Sequence, residues 1–405
     1  MSSLTWRVPG RIEVLGKHTD YAGGRVLVGA IDHGITVRAT LGGEGVVAST
    51  DAFGDRVRLA AGVDPGLPDG HWARYVQTAI DRLTANFGAI APCELDITSD
   101  LPPASGMSSS SALLCGVALA LADLNGFSST PAWQDACPDR LSLAGYLACI
   151  ENGRTWRGLA GSRGVGTFGG SEDHTAMLCG SVGELLQVEF DPLRVIESVP
   201  LSEDVAFVVA VSGVLAEKTG PARDAYNRAS LATASILDLW NERSGRRAAT
   251  LAAVVRTLAG DAPDPADPTL GVLRRVTGGD AWLSARLEHF LQESYGLVPG
   301  ATRALASGDW ATFGRVSAES QRLAETLLGN QVPQTIALAA SARELGAHAS
   351  SAFGAGFGGS VWALVEANDA YAFSNDWLAR YRSEFPDEAG ASVLVTRPGS
   401  AAERI

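Results

Sequence analysis

Three short stretches of this chain combine residue types that can do chemistry. LPPASGMSSSSALL, residues 101–114, sets small residues and a run of four serines directly before an apolar, helix-forming segment. Small residues let a backbone close around an anion, and a helix start adds unpaired N–H groups and the positive end of the dipole. The stretch reads as a phosphate cradle, in which a serine hydroxyl can also ligate Mg²⁺. It is not a Walker A loop, because G-x-x-x-x-G-K-[ST] is absent. A flexible Ser-rich linker is the plain alternative, but linkers rarely sit directly between a strand and an apolar helix.

GVGTFGGSEDHTAMLCG, residues 164–180, places Glu172, Asp173 and His174 after a glycine run. Adjacent acid and imidazole groups suit general base work and cation binding, and they are equally common in a solvated turn. FGAGFGGSVWALV, residues 353–365, has four glycines before an apolar strand, a tight loop that lets backbone approach a ligand or another loop.

The elements that must position these groups are legible in outline. Residues 25–41, rich in Val, Ile and Leu and broken by small residues, predict two strands. Helical spacing of Tyr75, Val76, Ile80, Leu83 and Phe87 predicts a helix over 73–88 closed by Gly88. ELDITSD predicts a strand running into the serine cluster, whose hydroxyls stand where N-cap residues belong. LLQVEF and VAFVVAV predict strands on either side of DPLR, with a domain boundary near 200. Beyond it come long helical patterns, an exposed excursion at 256–280 rich in Pro, Asp and Gly, and closing strands in SVWALVEA and SVLVTR. Strands and helices without regular alternation indicate α+β, in two domains, 1–200 and 201–405.

Composition narrows the partners. A net charge of −13 argues against nucleic acid or an anionic membrane, so any polyanion bound is small and locally gripped. The five cysteines form no C-x-x-C pair and no Cys/His metal spacing, and no run approaches a membrane span of roughly 18 apolar residues. The expectation is a cytoplasmic protein with reduced thiols.

Together these stretches resemble the GHMP kinase superfamily, and within it the galactokinase and N-acetylgalactosamine kinase branch. VPGRIEVLGKHTDYAGGRVLVGAID resembles the branch signature P-G-R-x-N-L-I-G-E-H-x-D-Y-x-G-G, and LPPASGMSSSSAL and FGAGFGGSVWAL resemble the second and third motifs. GTFGGSEDH, VEFDPLR and ALASGDWATFGRVSAESQRL extend the likeness, in order, along nearly the whole chain. The resemblance implies an N-terminal domain of ribosomal-protein-S5 type, a ferredoxin-like C-terminal domain and an active site in the cleft between them. It implies transfer of the ATP γ-phosphoryl group to the anomeric hydroxyl of a monosaccharide.

Carried over by motif, Asp173 takes the catalytic aspartate position and Arg11 the arginine beside it. Gly106, Met107, Ser108, Ser109, Ser110 and Ser111 would supply donors to the phosphates, with Gly356 of the third motif also on the nucleotide side. Ser110 is the expected Mg²⁺ ligand, joined by Glu151, although 22 positions separate Glu151 from Asp173, about ten more than the family usually has. The sugar site would draw on Lys17, His18, Asp20, Tyr21, Gly170 and Tyr226.

Three positions depart from the branch: Glu13 replaces Asn, Lys17 replaces Glu and His174 replaces Gln. Lysine occurs in this chain only at 17 and 218, so its place in the motif is conspicuous. An ammonium at position 17 can only donate, which suggests a sugar bearing an acceptor on its sixth carbon, such as a uronic acid. The bland readings are a pairing of Lys17 with Glu13 or Glu172, or a sugar with no sixth carbon, such as arabinose. A catalytically silent sugar and ATP sensor is the competing function of another class, and the intact Arg11, Asp173 and serine loop favour the enzyme.

Overall fold

The structure is a computed structural model that describes residues 2–52, 54–68, 70–102, 106–214 and 220–405, without the side chains of 220–223. Lys218 lies outside the described residues. The first half builds a mixed sheet. Its strands are β1 (Ser3–Leu15), β2 (Arg25–Leu41), β3 (Val46–Thr50), β4 (Asp55–Leu59), β5 (Cys93–Ser99), β6 (Glu184–Phe190) and β7 (Leu193–Pro200). Residues 25–41 form one strand instead of the two expected. Its N-terminal half pairs β6, its C-terminal half pairs β5, and β1 runs along both, so no turn is needed.

Helices α1 (Ala73–Phe87), α2 (Ser109–Leu124), α3 (Pro131–Ala136), α4 (Arg140–Asn152) and α5 (Glu172–Cys179) complete this half. Apolar residues all round α2 explain its burial, from Ser111 to Ala122, against β1 and β2. Its predicted start is right, but the capping chemistry differs. Ser108 holds the N-cap with φ +58° and makes no side-chain cap, so the first turn's N–H groups are not taken up by that hydroxyl.

The second half opens with β8 (Val205–Val211) and then a run of helices: α6 (Gly220–Ser244), α7 (Leu251–Ala259), α8 (Gly271–Thr277), α9 (Ala281–Leu291), α10 (Val298–Ser307), α11 (Trp310–Leu323) and α12 (Pro333–Glu344). It closes with β9 (Ala349–Ala352), β10 (Ser360–Glu366), α13 (Ala370–Glu384), β11 (Ser392–Thr396) and β12 (Glu403–Arg404). Strands β11-β8-β10-β9 form an antiparallel sheet, the ferredoxin-like order, backed by α12 and α13 around Trp377 and Tyr381. β12 returns to pair β1 in the first sheet. Residues 256–280 are not an exposed excursion throughout. Leu270, Leu273 and Val276 are buried with Ile236, Trp240 and Phe290, because α6 to α9 pack a small core of their own.

The two sheets meet across a shared core. Trp362 of β10 is fully buried beside Phe207 and Phe313, and its indole N–H donates to the Val14 carbonyl of β1 at 3.2 Å. That contact sets the third motif, just before β10, against the strand carrying Arg11. Among the described residues no helix is long and apolar enough to cross a membrane.

Candidate active site

The site begins with the period of a strand. Arg11 and Glu13 lie two apart on β1 and so share a face. The pairing register of β1 with β2 shifts between Pro9 and Arg11, an irregularity of the kind that re-aims side chains beside functional sites. Arg11 Nε donates to Asp173 Oδ1 at 2.7 Å, and its Nη1 donates to the Gly106 carbonyl at 2.6 Å. One guanidinium thus ties the aspartate at the start of α5 to the serine-rich loop before α2. Burial opposes its charge, but Asp173, Glu172 and Glu13 outweigh that and raise the Arg11 pKa further. The two groups are locked as a charged pair, 162 residues apart in the chain.

A cavity in front of this pair is lined by Arg11, His18, Asp20, Glu151, Asp173 and Tyr226, among others. His18 reaches it from a loop held at φ +57°. Its Nδ1 lies 2.8 Å from the Tyr21 hydroxyl, and its ring packs 4.9 Å from that of Tyr226. Tyr21 is not a lining residue. It orients His18 from behind and accepts a hydrogen bond from buried Arg286 on α9, and burial lifts its hydroxyl to about 12. Asp20 Oδ2 accepts from the Glu172 N–H at 3.3 Å, and Gly170 runs so close to it that a Cβ there would sit 2.3 Å from that oxygen. Gly170 therefore serves by having no side chain.

Glu151 closes the far side. Its Oε2 accepts from the Ser111 hydroxyl at 2.8 Å and lies 3.2 Å from His174 Nε2, while Ser111 Oγ is 3.4 Å from Asp173 Oδ2. The longer spacing to Asp173 in sequence is no obstacle, because residues 153–161 fold back as a loop pinned by the fully buried Arg82. The serines differ in role. Ser111 is fully buried and holds Glu151, whereas Ser110, the expected metal ligand, is only partly buried one residue earlier in the same turn. Glu151, Asp173 and these hydroxyls are hard oxygen donors, the set that Mg²⁺ prefers when substrate phosphates complete its shell. Among the described residues no group of three or more His, Cys, Asp or Glu side chains could hold a metal alone.

Among the expected residues, Lys17, Tyr21, Gly356 and the loop Gly106–Ser111 do not line this cavity. Gly356 is absent from the cavity wall: its φ of +70° and close approach to Asn330 make it a turn residue, and Gly354 and Ala355 take the wall instead. Lys17 is only 1% exposed and points away from the cavity lining. Its ammonium donates to Ser320 of α11 at 2.8 Å and Ser351 of β9 at 2.9 Å. Glu293, in a π-helical turn between α9 and α10, accepts from the N–H groups of Gly16 and Lys17 and from Ser320. Burial lowers the Lys17 pKa against the pull of Glu293, Glu13 and Glu172. Pairing with Glu13 or Glu172 is thus replaced by a knot of residues some 300 positions away, which the local sequence could not show.

The sequence reading missed a second cavity of about 320 Å³, lined by Arg74, Tyr75 and Thr78 of α1 and by the loop 162–166. That loop is fixed to the Glu151 carbonyl through the Val165 N–H at 2.8 Å, which ties a residue lining the second cavity to one lining the first. Tyr75 was visible only as a member of the helical pattern. Its partial burial is the signal that separates it from the core positions Val76 and Ile80.

The chain is similar to known kinases along most of its length. A family model for the galactokinase galactose-binding signature matches residues 2–40, one for the GHMP kinases N terminal domain matches 74–137, and one for the GHMP kinases C terminal matches 301–383. A galactokinase from Roseiflexus sp. (strain RS-1) is 28% identical over 98% of this chain and 92% of its own length. One from Pyrococcus furiosus is 25% identical over 98% and 99%. The crystal structure of Lactococcus lactis galactokinase complexed with galactose superposes with a TM-score of 0.80, at 24% identity, covering all of this chain and 95% of that one. Methanococcus jannaschii mevalonate kinase has the same fold more distantly, with a TM-score of 0.57 at 13% identity.

Proposed function

We propose that this chain, which belongs to the galactokinase branch of the GHMP kinase superfamily, transfers the γ-phosphoryl group of ATP to the anomeric hydroxyl of galactose. The observation that carries the reading is the 2.7 Å Arg11–Asp173 pair facing a cavity that also presents His18, Asp20 and Tyr226. A sugar needs fixed acceptors and donors for its hydroxyls, and Asp20 and His18 supply them from a loop clamped on both sides. Asp173 would take the proton of the reacting hydroxyl or hold its oxygen. Arg11 keeps Asp173 ionised and supplies positive charge where negative charge gathers during transfer.

The phosphates would lie at the N-terminus of α2, on the N–H groups from Gly106 to Ser111. Mg²⁺, when bound with ATP, would neutralise charge on the phosphates, and Ser110 and Glu151 are the residues proposed to hold it. The nucleoside fits the second cavity, on the far side of the loop 162–166. Tyr75→Ala is expected to raise KM for ATP about tenfold, the equivalent of ~1.4 kcal/mol, with KM for the sugar unmoved. Equal shifts in both would place the nucleoside elsewhere.

A uronic acid substrate rested on Lys17 facing the sugar, and its ammonium is committed to Ser320 and Ser351. The silent-sensor reading has no support from a degraded site, since the arginine, aspartate and serine loop are all present. An ADP-release assay across galactose, N-acetylgalactosamine, arabinose, galacturonate and glucuronate tests the proposal. Galactose is expected to be turned over best. ADP release with a uronate but not galactose, or with no sugar at all, overturns it.

A further inference from the structure

The loop of residues 16–24 is held from behind by one face of α9. Arg286 and His289 stand three apart on that face, both fully buried, and the π-helical turn that follows adds Glu293 and Ser294. Ser294 accepts from the Arg25 N–H at 2.6 Å, and Glu293 accepts from the N–H groups of Gly16 and Lys17. Arg286 grips the loop between them. Its Nε donates to the Ala229 carbonyl at 3.3 Å and its Nη1 to His289 Nδ1 at 3.2 Å, while its Nη2 donates to the His18 carbonyl and the Tyr21 hydroxyl. All four acceptors are neutral. Burying a guanidinium on such partners is costly, so its place behind the loop calls for an account.

A guanidinium donates and never accepts, so it fixes the direction of every hydrogen bond beyond it. His289 Nδ1 must accept, and burial together with Arg286 keeps that ring neutral, its pKa well below the usual histidine value. The Tyr21 oxygen accepts from Arg286 at 3.1 Å, and its own proton is then spent on His18 Nδ1 at 2.8 Å. An imidazole whose Nδ1 accepts carries its proton on Nε2. The other end of the ring agrees independently. His18 Nε2 faces the Ala355 carbonyl at 3.4 Å, both residues lining the cavity, and without a proton there two lone pairs would be set against each other.

We propose that Arg286 and Tyr21 are positioning residues that fix His18 as its Nε2–H tautomer, so that the ring presents a donor to a sugar hydroxyl. Every hydrogen bond in the chain then runs outward, from Arg286 to Tyr21, from Tyr21 to His18 and from His18 to the sugar oxygen, and bonds aligned in this way polarise one another. The hydroxyl that accepts from His18 keeps its own proton for a carboxylate such as Asp20, so the loop offers the sugar one fixed donor and one fixed acceptor. The other tautomer would offer two acceptors. The role toward sugar rests on the kinase reading, while the tautomer does not.

Nitrogen NMR of the full chain, labelled at its six histidines, with the His18 ring identified by its loss in His18→Gln, is expected to show the Nε2–H form at neutral pH with no sugar present. Tyr21→Phe removes the hydroxyl alone and keeps the ring that packs against His18 and Arg286, so the fold has little reason to fail. It should leave His18 as a mixture of tautomers and raise KM for galactose about tenfold, with kcat changing less. His18→Gln carries an amide donor whose proton no neighbour assigns, so adding Tyr21→Phe to it should raise KM by about twofold or less. A loop merely loosened by Tyr21→Phe would give the same tenfold rise in both backgrounds, and that result, or a parent-like KM in Tyr21→Phe, overturns the positioning role. A His18 ring protonated on Nδ1, or on both nitrogens, at neutral pH overturns the relay. An Nε2–H ring that responds to Tyr21→Phe as expected, in a protein that phosphorylates no sugar, would leave the relay standing and remove the kinase reading instead.

Discussion

Asp173→Asn is expected to lower kcat for ADP release by about 10³-fold, near the middle of what a positioned acid–base group contributes, with far-ultraviolet circular dichroism unchanged. Asn keeps the shape and can still accept a hydrogen bond from Arg11, so the fold has little reason to respond. What is lost is the negative charge that takes a proton or holds the attacking oxygen. KM for sugar and ATP should move little by comparison, because on the proposed reading the sugar's other contacts come from His18, Asp20 and Tyr226, which line the cavity, and the phosphates' from the α2 N-terminus. The measurement is steady-state ADP release with saturating galactose. A variant within a few-fold of the parent would mean that Asp173 is not the group at the reacting oxygen.

Lys17→Glu should be the most damaging single change to stability, at about 3–5 kcal/mol, the range for breaking a buried charge pair. Restoring the residue that the branch usually carries would here place a carboxylate against Glu293 and strip Ser320 and Ser351 of their donor. Urea unfolding of parent and variant gives the difference directly. The pH dependence has a definite sign as well. Burial lowers the Lys17 pKa from its ordinary 10.5, so between that lowered value and 10.5 the unfolded chain binds more protons than the folded one. Lys17's share of the stability therefore rises with pH across that window. A Lys17→Glu protein as stable as the parent, with an altered sugar preference, would return the residue to the sugar site.

The departures from the family motif are best understood as a set. Lys17 sits in a polar knot between the loop of residues 16–24 and the C-terminal half, and Glu293, Ser320 and Ser351 are the partners that make its burial tolerable. Glu13 adds a carboxyl to the same neighbourhood, where Glu172 also acts on Lys17. Each change taken alone buries an uncompensated charge, but together they share one field, with Lys17 and Arg11 opposed to Glu293, Glu13, Glu172 and Asp173.

What the sequence determined by itself is the local form of short contiguous runs. The serine-rich loop, the start of α2, the Glu-Asp-His turn and the loop of residues 16–24 are each written within about a dozen residues, because a glycine's conformational freedom, a helix start and a strand's alternation are local properties. Those runs also carried the order of motifs along the chain, and with it the α+β architecture.

What only the tertiary structure decided is which side of a loop each side chain faces and what meets it there. Lys17 and His18 are neighbours in sequence, yet a backbone at φ +57° sends the histidine to the cavity and leaves the lysine in the interior. Its partners lie some 300 residues on, in helices and a strand whose patterns announce only burial. The same holds for Ser110 and Ser111, which a helical turn separates in role, and for residues 256–280, whose polar spacing hid apolar positions needed by α6 and α9. Burial and charge compensation are sums over everything that surrounds a group, and no stretch of chain contains its own surroundings.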